Sequence, residues 1–72
     1  MYSHAFDIYF CYEDGRDWIG YTATLNEAQF KVEDYFKQNQ FNLEFRGCWY
    51  EVIETLDEQM GDRELVYKTA TI

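Results

Sequence analysis

The sequence predicts an α+β fold: a four-stranded antiparallel sheet with one helix packed on one face, in the order ββαββ. Three observations predict it. An Asp14-Gly15 pair divides two β-rich runs between Ala5 and Ala23, a capping box opens an amphipathic segment at Thr24, and two further β-rich runs flank a polar stretch near the C-terminus. The competing pattern is a second helix at about 48–60, considered below.

Two residues of the Asp-Gly type between β-rich runs are the strongest short-range hairpin signal. With Asp14 and Gly15 as the loop, strand one runs from about Ala5 to Tyr12 and strand two from about Asp17 to Ala23. Glu13 then opposes Arg16, Phe10 opposes Ile19, Ile8 opposes Tyr21 and Phe6 opposes Ala23. The six apolar members fall on one face and can all be buried, whereas a one-residue slip scatters them. The other face carries Tyr9 opposite Gly20, Cys11 opposite Trp18, and Asp7 opposite Thr22. Tyr9 and Trp18 are too apolar for the polar face of a one-sided sheet. Either the rest of the chain covers them, or they mark a contact patch for a partner or a second copy.

Thr24-Leu25-Asn26-Glu27 fits the capping box, in which Thr24 accepts from the Glu27 N–H and Glu27 reaches back. Leu25, Ala28, Val32, Tyr35 and Phe36 then share one helical stripe, suited to the face of Phe6, Ile8 and Phe10. The helix should end between Lys37 and Gln40, with Asn39 as a left-handed terminator. Phe30 lies about 200° from Ala28, on the polar side. An aromatic placed there is either a solitary exposed apolar residue, which is normal, or an anchor for a partner, since aromatics are over-represented at binding hot spots.

Phe41, Leu43 and Phe45 alternate with Asn42 and Glu44, which reads as a strand with one apolar face, interrupted at Gly47 by a bulge or bend. From Cys48 to Met60 the two periodicities compete. Trp49, Val52, Ile53, Leu56 and Met60 make a helical stripe ending at Gly61, yet 48–55 has the aromatic and β-branched content of sheet. Glu64 to Ile72 reads as a strand, with a loop over 57–62. The strand reading is preferred, because a second hairpin supplies the sheet partners that a lone, marginal hairpin needs.

Seventy-two residues make one domain, 1–72. A chain of this size buries only ~60% of the surface its unfolded form exposes. Fifteen aromatic residues, 21% of the chain, supply the core. Cys11 and Cys48 stand in apolar strand contexts, and no secretory leader or membrane-length apolar run is present. The cysteines are therefore expected as small hydrophobes rather than a disulfide, in a reducing, cytoplasmic setting.

No catalytic, cofactor or metal signature is present. The cysteines and the single histidine, His4, lack metal-ligand spacing, the four glycines are isolated, and Ser3 is the only serine. No enzyme activity, cofactor or metal is expected. Net charge is −8, from 14 acids against 6 bases, which disfavours direct nucleic-acid or membrane binding and attracts basic proteins. The charge is concentrated: Glu51, Glu54, Asp57, Glu58, Asp62 and Glu64 face only Arg63 in fourteen residues. The run is either a solvated loop flank, as charge runs usually are, or a negative strip whose carboxylates take the positions of phosphates on a basic groove. Short length, acidity and aromatic content without a catalytic motif make a profile shared by small inhibitors and adaptors of viruses and mobile elements. The expected role is a binding module that occludes a basic, nucleic-acid-handling protein, with Tyr9, Trp18 and Phe30 as anchors. The alternative is a structural homodimer that buries Tyr9, Cys11 and Trp18 against a second copy.

Overall fold

The computed structural model describes residues 5–57 and 62–72. The lead-in with His4 and the segment with Glu58, Met60 and Gly61 lie outside the described residues. The elements are β1 (Ala5–Tyr12), β2 (Gly15–Thr22), α1 (Leu25–Asn39), a short 3₁₀ turn (Leu43–Phe45), β3 (Trp49–Asp57) and β4 (Asp62–Lys68). The four strands form one antiparallel sheet in the order β2-β1-β3-β4, with α1 packed on one face. This is the ββαββ architecture that the sequence predicts. The first hairpin gains its missing neighbour when β3 pairs along β1.

The helix forms where its cap predicts. Thr24 Oγ1 accepts from the Glu27 N–H at 3.2 Å and donates to Glu27 Oε1 at 3.2 Å. Ala28 and Val32 are fully buried. They pack with Ile8, Tyr50 and Val52, and Phe6, Phe10, Leu25, Tyr35 and Phe36 close around them. Asn39 does not terminate the helix in a left-handed conformation, since no residue but glycine has a positive φ among the described residues. Its amide instead donates to the Tyr35 carbonyl at 2.9 Å and to the Tyr50 hydroxyl at 3.2 Å, fastening the last turn to the sheet.

The first hairpin has a different register from the expected one. Tyr12 opposes Gly15, Phe10 opposes Asp17 and Tyr9 opposes Trp18. A bulge follows, after which Ile8 opposes Gly20, Asp7 opposes Tyr21 and Phe6 opposes Thr22. The loop residues are Glu13 and Asp14. None of Glu13, Asp14 and Gly15 takes a positive φ, so the Asp-Gly pair is not used as the type I′ turn on which the expected register rested. The bulge lies at Ile19 and Gly20, and Gly20 carries φ +157°. It reverses the alternation of the strand end. Tyr21 therefore leaves the helix side, and Ile19 stays 42% exposed rather than entering the core; Ala23 is exposed as well.

Phe41 to Phe45 is not a strand. Asn42 donates to the Asn39 carbonyl, its side chain accepts from the Glu44 N–H at 3.0 Å, and Phe45 N–H donates to the Asn42 carbonyl. These local bonds satisfy the backbone without a sheet partner. Phe45 packs edge-on against Phe10 at 5.2 Å, while Phe41 and Leu43 face solvent.

The ambiguous segment is strand β3. Its helix-like apolar spacing has a simple origin, because β3 is a central strand covered on both faces. Tyr50 and Val52 face the helix, while Ile53 joins Tyr9, Cys11 and Trp49 on the other face. β4 ends at Lys68, short of the expected Ile72. The last residues still bind the sheet: Thr69 N–H donates to the Tyr50 carbonyl, Ile72 N–H to the Cys48 carbonyl, and Gly47 N–H to the Ile72 carbonyl.

Candidate partner-binding surfaces

The helix-free face of the sheet is built from every second residue of the strands. The register places Asp7, Tyr9 and Cys11 of β1 beside Tyr21, Trp18 and Arg16 of β2, and beside Ile53, Glu51 and Trp49 of β3. Lys68, Leu65 and Arg63 of β4 oppose Glu51, Ile53 and Thr55. Half of the chain's six bases thus lie on one face, on top of aromatic rings. The Arg16 guanidinium stands 4.4 Å over the Tyr9 ring, Arg63 lies 5.5 Å from the same ring, and Lys68 is 5.1 Å over Trp49. Arg63 also donates to the Tyr9 hydroxyl.

The two acids of this face are engaged within it. Asp7 accepts from Trp18 Nε1 and from Thr55 Oγ1, each at 3.0 Å, and has Arg63 at 3.7 Å. Glu51 accepts from Trp49 Nε1 at 2.7 Å and has Arg16 at 3.9 Å. Cys11 is 2% exposed and Tyr9 9% exposed in the single chain, so neither needs a second copy to leave water. Burial, followed by the nearby Glu51 carboxylate, pushes the Cys11 thiol up to about 11. Both cysteines are free thiols. Leu65 stays 50% exposed, and the largest open apolar surface is Trp18, 55% exposed, with Tyr21, 63% exposed, whose rings stack at 6.3 Å.

Tyr9 and Trp18 are thus brought together as direct cross-strand neighbours. Tyr21, Arg16, Arg63 and Lys68 belong to the same face but escaped the sequence reading. Gly20 was the available signal, because a glycine inside a strand marks a bulge, and a bulge moves every residue beyond it to the other face.

The acidic run is divided. Glu51 belongs to the helix-free face. Glu54 opposes Glu64, and Asp57 opposes Asp62; the last two are placed by backbone register, and Glu58 lies outside the described residues. One row crosses all four strands as Thr22, Phe6, Glu54 and Glu64. Thr22 ends β2 two residues before the helix N-cap Thr24, so the opposed acids and the first helical turn share one end of the sheet. Glu27 is in that turn. Phe30 follows about 8 Å along the axis and is 74% exposed.

Among the described residues, no three His, Cys, Asp or Glu side chains group as metal ligands, and no helix is long and apolar enough to cross a membrane. No family model, no curated protein and no solved structure matches this chain.

Proposed function

We propose that the protein is a non-enzymatic binding module that occludes a basic, nucleic-acid-handling partner through its acidic end. The observation that carries this reading is the opposition of Glu54 to Glu64 and of Asp57 to Asp62 within one hairpin. Like charges directly opposite one another on a sheet are destabilising. The two oppositions flank the pair of Thr55 and Arg63 and gather carboxylates at one end of the hairpin by backbone register, and that concentration favours a role for the charge itself.

The parts divide the work in the usual way of such interfaces. Glu27, Glu54 and Glu64, together with Asp57, Glu58 and Asp62, steer a basic partner and raise its on-rate. Phe30, an exposed aromatic on the same half of the helix, supplies a buried anchor once docked. The test is retention of proteins from nuclease-treated lysate on the immobilised wild type, Phe30→Ala and Glu64→Lys. A basic nucleic-acid-binding protein should be held by the wild type, released by a salt ramp, and lost from both variants. Equal retention by all three would remove the acidic end from the interface.

A further inference from the structure

A second site lies about 13 Å along the strands from the acidic end, four residues along β1. Here the row is Asp17, Phe10 and Tyr50. A cleft of about 460 Å³ opens between β2 and the C-terminal half of the helix, lined by Phe10, Tyr35, Phe45 and Tyr50, with Asp17 and Asn39 as its polar members. Ile19 completes the lining, and both Ile19 and Asp17 are exposed at its mouth. Volume and composition match small-ligand sites, which are mostly apolar with a few placed polar groups.

The rings form a connected set. Phe10 lies 5.2 Å from Phe45 and 5.3 Å from Tyr50, and Tyr50 lies 5.7 Å from Tyr35. Asn39 holds Tyr50 by its hydroxyl, and Tyr12 donates to Asp17 Oδ1 at 3.1 Å, fixing the carboxylate. The lining contains one acid and no base. Aromatic faces attract cations through the ring quadrupole, most strongly where water is partly excluded, and a carboxylate beside them selects the same sign.

We propose that this cleft binds an alkylammonium cation, with its charge toward Asp17 and its alkyl groups against the rings of Phe10, Tyr35, Phe45 and Tyr50. The cation is a free quaternary or primary ammonium compound, or the side chain of a lysine. The site goes beyond the acidic-end reading and does not depend on it, because none of its residues belongs to that end.

The test is an amide NMR titration of the full chain with choline, with Nα-acetyl-lysine methylamide, and with 3,3-dimethylbutan-1-ol, the neutral isostere of choline. The expected result is saturable shifts centred on Asn39, Phe45 and Tyr50, with choline preferred over the alcohol by roughly tenfold. Asp17→Asn should keep the Tyr12 contact and remove most of that preference. Phe45→Leu, which takes away one ring, should weaken both cations and serves if the first variant does not fold. Whichever cation saturates at lower concentration identifies the source. Equal binding of the alcohol, unchanged preference in Asp17→Asn, or an absence of saturable shifts at these amides would each overturn the proposal.

Discussion

Gly47 holds φ at +87°, with open space where a Cβ would stand. The cost of a side chain there is backbone strain alone, so Gly47→Ala should lower stability by about 1–2 kcal/mol in urea unfolding. Gly15 is the control. It has no positive φ, and a Cβ would meet the Tyr12 ring at an ordinary 3.7 Å. Gly15→Ala should change stability by less than about 0.5 kcal/mol. A loss as large as that at Gly47 would indicate the type I′ turn instead. Cys11 makes a pH prediction. The folded thiol keeps its proton to about 11, whereas the unfolded one loses it near 9.0. Between those values the native state binds more protons, so the contribution of this thiol to stability is fully present below pH 9 and is lost as pH rises toward 11. Burial raises Tyr50 in the same direction, which extends the decline. Chemical unfolding across this range should show a shallower fall in Cys11→Ala than in the wild type.

Individual elements depend on short-range signals of different strength. The N-terminus of the helix rests on Thr24, and Thr24→Ala should cost about 1 kcal/mol, measurable as a shift in the unfolding midpoint. The β3–β4 hairpin carries an opposed acid pair at its described end, Glu54 and Glu64. Glu64→Lys should therefore stabilise the isolated protein, by roughly 0.2–1 kcal/mol, while removing it from its partner. A stability gain with a binding loss is the signature of a residue retained for its charge; a loss of both would mean the carboxylate is structural. The 3₁₀ turn shows the opposite case. Its apolar alternation was real, but Asn42 offered the backbone a local set of hydrogen bonds that needs no sheet partner.

At the level of the whole molecule, burial on the helix-free face changes how the oligomer question is posed. Tyr9 and Cys11 are covered by Arg16, Arg63, Trp49 and Ile53 within one chain. Folding should then not be linked to association, and the unfolding midpoint should be independent of protein concentration over a hundredfold range. A midpoint that climbs with concentration would restore an obligate dimer. The charge distribution has its own consequence. Three bases and the two acids they accompany occupy the helix-free face, leaving twelve acids and three bases to the rest of the chain. The net negative charge of the chain therefore comes from outside the helix-free face.

The sequence by itself determined the helix, the four strands of the sheet and their order, though not the 3₁₀ turn over Leu43–Phe45. A capping box, a helical stripe and β-rich runs are read by the backbone within a few residues, so α1, its buried Ala28 and Val32, and the antiparallel sheet were all legible. Phe30 was legible too, as an aromatic off the stripe. Tertiary structure decided register and facing. A single bulge at Gly20 turned Tyr21 outward. The double coverage of β3 made a strand look helical, and pairing across β3 and β4 split the acidic run between two faces. The cleft at Asp17 was equally hidden, because its rings come from β1, α1, the 3₁₀ turn and β3. Such features are set by contacts between residues distant in sequence, and local patterning carries no record of which neighbour a side chain will meet.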